Sequence, residues 1–198
     1  DMVSRGLGDV YKRQVRFVPN PTFSAPGVVG TLYVVYQSDA SDLVAGDANS
    51  ATDVFRTAVD LVADASGALD LQVNGDAALV SASDGGSNEG NAASSNPVIG
   101  GANGEIVAFQ SRASDLVAGF NDGNGAGGYD VYVRDVLANT TKLVSHAETN
   151  QATGGDGSSE APSMDASGAA VAFESDASDL IAGDTNGVRD VFYADVTG

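Results

Sequence analysis

The stretch Val171-Ala-Phe-Glu-Ser-Asp-Ala-Ser-Asp-Leu-Ile-Ala-Gly-Asp-Thr-Asn186, followed by Asp190-Val-Phe192, decides the fold because it occurs more than once in the chain. An almost identical copy runs from Val34-Val-Tyr-Gln-Ser-Asp-Ala-Ser-Asp-Leu-Val-Ala-Gly-Asp-Ala-Asn49 to Asp53-Val-Phe55. Self-similarity of this kind is typical of repeat architectures, in which each unit buries its apolar face against its neighbour. We therefore interpret the chain as an array of one unit.

A third copy lies between these two. It runs from Val107-Ala-Phe-Gln-Ser-Arg-Ala-Ser-Asp-Leu-Val-Ala-Gly119 to Asp130-Val-Tyr132, with two residues added on each side of its Asp-x-Asn element. Insertions of this size in loops cost little free energy. Upstream, Asn20-Pro-Thr-Phe23, Asn96-Pro-Val-Ile99 and Ala161-Pro-Ser-Met164 stand at the same place in each copy. The repeat therefore extends beyond the Ser-Asp-rich stretch.

Strand signals recur within each unit. Ala169 to Ser175 alternates around Val171 and Phe173, and Asp190 to Ala194 is aromatic and β-branched. Lys142 to Ser145 has the same character, and Pro162 opens a short extended piece, a position where no backbone donor is needed. Four short antiparallel strands per repeat are typical of a propeller blade. The sequence predicts an all-β partial propeller of about three four-stranded blades, in which the ring is not closed.

The blade boundaries follow from the repeat. Residues 1–14 match no copy and resemble a translated sequencing adapter, so we treat them as an artefact or a disordered tail. The remaining segments are 15–95 for the first blade, 96–160 for the second and 161–198 for a truncated third. About a dozen extra residues between Phe55 and Leu79, including Leu69-Asp-Leu-Gln-Val73, form an insertion in the first blade.

The repeat resembles the TolB-type β-propeller repeats of bacterial envelope and secreted proteins. The resemblance covers roughly residues 20–198 and rests on three elements: the turn from Pro162 to Gly168, the strand from Val171 to Ser175, and the Asp-Val-Phe strand at 190–192. It implies that the chain is a fragment of a larger propeller whose remaining blades lie beside it, and that the protein is extracellular or periplasmic.

The charge balance excludes several partners. Nine basic residues against 27 acidic ones give a net charge of -18, which repels nucleic acids and anionic membrane surfaces. With no cysteine, the chain has no disulfide, no thiolate nucleophile and no Cys-ligated zinc. The longest apolar stretch, around Val28 to Tyr36, is far shorter than the roughly 18 residues of a membrane-spanning helix. We expect neither a nucleic-acid partner nor a membrane span.

The Asp-x-Asn loops are the candidate ligand sites. Each copy places carboxylate and amide oxygens ahead of a strand, and such hard oxygen atoms are the ligands that Ca²⁺ prefers. The alternative is that these side chains bond their own backbone in Asx-turns. Both interpretations stay open. The candidate calcium ligands are Asp47, Asn49, Asp53, Asp122, Asn124, Asp130, Asp184, Asn186 and Asp190.

The sequence matches catalytic motifs only weakly. A side chain repeated in every copy is expected to serve the blade, because a catalytic centre needs one asymmetric constellation. Gly123-Asn-Gly-Ala-Gly-Gly128 matches the dinucleotide fingerprint in letters, but a strand follows where a helix is required. The sole histidine, His146, has no Gly-x-Ser-x-Gly elbow to accompany it and is expected in an exposed loop. The sequence predicts no catalytic residue and no enzyme.

Three functions remain from these observations. The first is a non-catalytic binding or scaffold module that contacts a protein or glycan partner. The second is the propeller portion of a larger peptidase-like hydrolase whose catalytic domain lies elsewhere. The third is a repeat module stabilised by calcium, although no cofactor is required by the fold. The sequence alone does not decide among them.

Overall fold

The computed structural model describes residues 13–22, 24–45, 47–86 and 88–197, and the described residues contain strands and turns without a helix. Within these ranges, thirteen strands follow one another: β1 Arg13–Pro19, β2 Gly27–Ser38, β3 Asp53–Ala63, β4 Leu69–Leu79, β5 Ser94–Gly100, β6 Ile106–Ser111, β7 Asp130–Asp135, β8 Thr140–Leu143, β9 His146–Ala147, β10 Asn150–Gly154, β11 Ser159–Met164, β12 Ala170–Ser175 and β13 Asp190–Asp195.

The strands form three successive antiparallel sheets. Sheet I has the order β1-β2-β3-β4, sheet II the order β5-β6-β7-β8, and sheet III the order β11-β12-β13. In all three, each strand pairs with its neighbour in the chain, and none of the sheets closes into a barrel. The prediction of an all-β, open, propeller-like array is confirmed, with three strands rather than four in sheet III among the described residues.

Each sheet packs its face against the next one through apolar side chains supplied by the repeat. One cluster joins sheets I and II, and it consists of Val35, Val54, Val80, Ile99, Val107, Phe109, Ala113, Leu116, Tyr132 and Leu143. The second joins sheets II and III, and it consists of Val98, Ala108, Val131, Val133, Val144, Val171, Phe173, Ala177 and Leu180. Because sheet II is covered on both faces, β6 and β7 are buried along almost their entire length.

The same close approach recurs at both junctions. A Cβ added to Gly90 would lie 2.8 Å from the Cβ of Ala113, and one added to Gly155 would lie 2.8 Å from the Cβ of Ala177. Real Cβ atoms essentially never come so close, so the connection between sheets needs glycine at this point. The two junctions are therefore built alike in backbone as well as in side chains.

Sheet I is longer than the others because β3 and β4 continue past the blade as a hairpin. Leu69, Leu71 and Val73 of the insertion pair with Ala63, Leu61 and Val59 in register. All three inserted side chains are exposed. The predicted insertion is thus an extension of two existing strands, and its apolar residues lie on one face of them.

The first strand of sheet I departs from the alignment of the repeats. Pro97 and Pro162 lie inside β5 and β11, just after left-handed residues at 96 and 161, whereas Pro21 lies in the turn that follows β1. The expectation that the three prolines stand at one place in the fold is wrong for the first copy. Instead, β1 begins with residues 13 and 14, which were expected to belong to an artefact or a disordered tail, and Gln14 accepts a hydrogen bond from the Ile99 N–H at 3.1 Å.

A short ribbon, β9 with β10, connects sheets II and III. His146 begins β9 and is half-buried, and its Nδ1 lies 3.0 Å from the Ala147 carbonyl oxygen. The expectation of an exposed loop histidine is wrong, because the connection pairs as a two-stranded ribbon and His146 lies half-buried in its first strand. Within the described ranges, no helix has the length and apolarity to cross a bilayer.

Candidate functional site

The loop between β2 and β3 brings the three predicted residues of the first copy together. The Asn49 Nδ2 donates to Asp53 Oδ2 at 2.9 Å and to the Gly90 carbonyl at 2.8 Å, while its Oδ1 accepts from the Ala51 N–H at 2.6 Å. The last bond, from a backbone two residues on, makes an Asx-turn. Asp53 opens β3 and is fully buried. Asn49 therefore orders the loop and holds the carboxylate of Asp53 at the same time.

Glu89 completes this group and was missed by sequence reasoning. One carboxylate oxygen each from Asp47, Asp53 and Glu89 lies within 4.8 Å of the others, and the described residues hold no second such cluster. Both Glu89 oxygens also accept from the Ala48 N–H at 2.9 Å. Since Glu89 comes from the connection to sheet II and has no counterpart in the next copy, a search for repeated residues does not find it.

The carboxylates of this cluster oppose one another's ionisation. Burial, a hydrogen bond to Glu89 and the charges of Asp53 and Glu89 raise the pKa of Asp47 to about 6. Burial also raises the pKa of Asp53, against the hydrogen bonds from Ser81 and Asn49. A bound proton or a bound cation would relieve this repulsion. The cluster is therefore a place where a positive charge is favoured.

The second copy does not reproduce the cluster. Asp122 Oδ1 accepts from the Asn124 N–H at 3.2 Å and the Gly125 N–H at 2.8 Å, which is an Asx-turn. Asn124 also spans the junction, donating to the carbonyls of Tyr129 and Gly157 at 3.2 and 3.3 Å. The inserted residues move the Asp-x-Asn element away from the strand, so the spacing of the first copy is lost.

At the position of Glu89 the second junction has Gly154. A Cβ there would lie 2.8 Å from Asp130 Oδ1, so the backbone of the connection itself covers the carboxylate. Asp130 is 3% exposed. Burial and the charge of Asp122 raise its pKa to about 7, although hydrogen bonds from Ser145 and Asn124 act in the opposite direction.

The third copy forms the same Asx-turn, and its residues are more exposed than those of the first copy. Asn186 Nδ2 donates to Asp190 Oδ2 at 2.8 Å, and its Oδ1 accepts from the Val188 N–H at 3.0 Å. Asp184 and Asp190 are half-buried and Asn186 is exposed. The loop keeps its shape here without a following sheet against it, which shows that the Asx-turn is a local feature.

A buried aspartate–serine pair closes sheets I and II. Ser81 Oγ donates to Asp53 Oδ1 at 2.6 Å and accepts from the Val54 N–H at 3.0 Å. Ser145 Oγ makes the same two contacts, with Asp130 Oδ1 at 3.0 Å and the Val131 N–H at 2.9 Å. Since the serine follows the fourth strand and the aspartate starts the third, the pair ties the two strands together.

A repeated glutamine joins each sheet to the next. Gln37 Oε1 accepts from the Asn96 N–H at 2.9 Å, and Gln110 Oε1 accepts from the Ala161 N–H at 3.0 Å. Asn96 and Ala161 are both left-handed, with φ of 53° and 52°. Each glutamine thus satisfies a backbone N–H at a strained point of the following sheet. The repeat pattern did not predict this role for the glutamine.

The Ser-Asp-Ala-Ser-Asp stretches form local turns and also bridge sheets. In each copy the first serine Oγ accepts from the N–H two residues on, at 3.1 Å for Ser38 and 3.0 Å for Ser111 and Ser175. The second aspartate accepts from the connection between sheets: Asp115 from the Asn91 N–H and Asp179 from the Asp156 N–H, both at 2.9 Å. Asp115 and Asp179 therefore tie their loops to the connection that leads into their sheet.

In the described residues, no sheet packs against the outward face of β13. Val191 is 76% exposed and Tyr193 is 73% exposed. The equivalent valines of the other sheets, Val54 and Val131, are fully buried by the sheet that follows. Within the described residues no strand pairs with the outer edge of β13. Sheet III therefore exposes a valine whose equivalents are buried in sheets I and II.

Comparison of the chain with family models, curated proteins and solved structures finds no match. Fold and site together define a class of protein: an all-β array of blade-like sheets, joined face to face by one repeated set of side chains.

Proposed function

We propose that the chain is a non-catalytic binding or scaffold module of the TolB-like propeller type, belonging to a secreted or envelope bacterial protein. The observation that carries this proposal is the reuse of one interface. The glutamine and the Ser-Asp turns recur at both junctions, and the Asp–Ser pair recurs within sheets I and II, so the repeated side chains serve assembly. A protein or glycan partner would then bind the loops at the ends of the sheets, which vary between copies.

The exposed face of sheet III supports a further repeat as its neighbour. Val191 stands where Val54 and Val131 stand in the other sheets, and those two valines pack against the next repeat. Burying an apolar side chain of this size is worth about 1.5–3 kcal/mol. An uncovered edge strand also offers unpaired backbone groups to another chain. We expect the isolated chain to self-associate through this face.

Sedimentation velocity tests the expectation. The chain should form concentration-dependent oligomers, and Val191→Asp combined with Tyr193→Asp should shift it to monomer. Leu137→Asp is the matched control, because Leu137 is 68% exposed in the β7–β8 turn and lies away from the face. A native chain that sediments as a monomer over the whole accessible concentration range would contradict the proposal.

Calcium is a second candidate, favoured by the Asp47–Asp53–Glu89 cluster. Three convergent carboxylates supply hard oxygen ligands, and a divalent cation would oppose the burial and the charge repulsion that together raise the pKa of Asp47. Ca²⁺ would bind at the loop between β2 and β3, which contains Asp47. The second and third loops lack a third carboxylate among the described residues, so they serve as turns.

Thermal unfolding with millimolar calcium or with chelator tests this site. A ligand that binds the folded state raises its stability, so Tm should rise with Ca²⁺, and Glu89→Gln should reduce the rise. Glu148→Gln is the matched control, because Glu148 is an exposed glutamate in the corresponding connection. An equal Tm with calcium and with chelator would exclude the calcium site.

A further inference from the structure

The junction between sheets I and II contains a buried arginine. Arg134 of β7 is 3% exposed, and its guanidinium donates to the connection that follows β4. Its acceptors are the carbonyls of Ala82 at 3.3 Å, Ser83 at 2.9 Å and Gly86 at 3.0 Å, Thr141 Oγ1 at 2.8 Å, and Asn139 Oδ1. This side chain thus fills the outer part of the junction and satisfies several acceptors with one planar group.

The next junction has Ala194 at the same position. Arg134 pairs with Val107 across β7 and β6, and Ala194 pairs with Val171 across β13 and β12. The aromatic residues two positions earlier stack alike, with ring centroids 5.9 Å apart for Phe109–Tyr132 and 5.8 Å apart for Phe173–Phe192. The residues two positions later also agree, since Val136 and Val196 each donate to a backbone carbonyl of the preceding turn at 2.9 Å. The two positions are therefore structurally equivalent.

A cleft of about 390 Å³ is lined by Ala194, the residue at the position equivalent to Arg134. Ligand sites in proteins are usually about 300–1,000 Å³. Its apolar walls include Leu143, Val144, Ala194 and Val196, and its polar groups include the carboxylates of Asp84 and Asp195. The walls suit a methylene stem, and the carboxylates suit a cation at the end of that stem.

We propose that this cleft binds a guanidinium group on an aliphatic stem, namely the arginine side chain of a partner polypeptide. The inference rests on the proposed binding function and names the chemistry of the partner. A guanidinium is planar, weakly hydrated and able to donate to several acceptors at once, as Arg134 does in the equivalent place. Lys142 also lines the cleft, but its side chain is exposed and has an interaction of its own.

Titration of the full chain with small probes, followed by backbone amide NMR shifts and by Tm, tests the proposal. Acetyl-arginine-amide should shift the signals of Val144, Ala194 and Val196 and raise Tm. Acetyl-lysine-amide should bind about tenfold more weakly, because an ammonium cannot match a site shaped for a planar donor. Equal binding of the two probes, or no binding of either, overturns the proposal.

Two variants test whether the arginine probe binds in this cleft rather than elsewhere on the surface. Ala194→Arg should fill it, raise Tm and abolish binding of the arginine probe, whereas binding that survives in a folded Ala194→Arg chain overturns the proposal. Arg134→Ala should open the equivalent space in the first junction, so that its lowered Tm is partly restored by the arginine probe. That second variant keeps the test valid if Ala194→Arg does not fold.

The source of the arginine is decided by a comparison of three ligands. A Gly-Arg-Gly peptide with blocked ends should bind at least as well as acetyl-arginine-amide, and free arginine more weakly, because a peptide carries no charged groups at its α-carbon. Stronger binding of free arginine overturns the assignment to a polypeptide. If the probes fail while the Val191 and Tyr193 substitutions still abolish self-association, the cleft inference is wrong and the scaffold function stands.

Discussion

The aspartate at the start of the third strand shows what a single repeated residue does in this fold. In sheets I and II it is buried and accepts a hydrogen bond from the serine that follows the fourth strand. In sheet III the described residues provide no such serine, and Asp190 is half-buried with Asn186 as its partner. The same residue type therefore has three environments, and burial decides its chemistry.

Asp130 makes the stability of the chain depend on pH. Its pKa rises from the ordinary 3.8 to about 7, with burial as the main cause. Since the folded state keeps this proton at pH values where the unfolded state has lost it, the stabilisation is present below pH 4 and is lost as pH rises through 7. One pKa unit corresponds to about 1.4 kcal/mol.

Asp130→Asn should remove this dependence. Between pH 5 and 8 the free energy of unfolding of the native chain should fall relative to that of the variant, by at least about 1.4 kcal/mol. Urea unfolding at each pH provides the measurement. Asp165→Asn is the control, because hydrogen bonding to Ser167 lowers the pKa of Asp165 and its titration lies below this window. Parallel curves for the native chain and Asp130→Asn would contradict the assignment.

At the residue scale, the sequence predicted the loop composition but only part of the site. Asp47, Asn49 and Asp53 lie together as the repeat suggested, and their Asx-turn was one of the two interpretations. Glu89 could not be predicted from the sequence, because its contact with Asp47 depends on how the connection between two sheets folds back. Proximity of that kind has no periodic signal in the sequence.

At the scale of elements, the junctions depend on a few polar contacts between strands of different sheets. Gln110 on β6 is 4% exposed and accepts both from the Ala161 N–H of β11 and from Asn96 Nδ2 at 2.7 Å. It therefore connects the first strands of sheets II and III through one oxygen. A buried donor left without an acceptor costs about 1–3 kcal/mol.

Gln110→Leu should destabilise the chain by about 2–4 kcal/mol, because it removes the acceptor of two donors in a buried place. Glu174→Leu is the matched control. Glu174 occupies the equivalent position in β12, is exposed, and makes only a 3.7 Å ion pair with Arg189, a surface contact of about 0–1 kcal/mol. Chemical denaturation of both variants gives the comparison. Equal losses would show that the glutamine contact between sheets is unimportant.

Strand positions were predictable at this scale because alternation and β-branched residues mark them. The segments around Val171 and Asp190 became β12 and β13 with bounds within a residue of the prediction. The first strand of sheet I was not predictable in the same way. Its place is taken by residues that share no sequence with β5 or β11, so backbone pairing with β2 rather than a motif selects them.

At the scale of the whole molecule, the chain is a linear array in which each sheet contacts its neighbours. Both clusters of buried side chains combine one face of a sheet with the opposite face of the next. The outward face of β13 is exposed in the described residues. A net charge of -18 opposes non-specific association, so contact at that face must come from apolar and backbone complementarity.

The sequence by itself determined the all-β class, the threefold repeat and the positions of most strands. These properties are local or periodic, and the same pattern is present in each of the three copies. Tertiary structure alone decided the carboxylate cluster at Glu89, the glutamine contacts between sheets, the origin of β1, and the cleft beside Ala194. Each of these depends on which side chains meet across a junction, and that is set by packing between segments far apart in the chain.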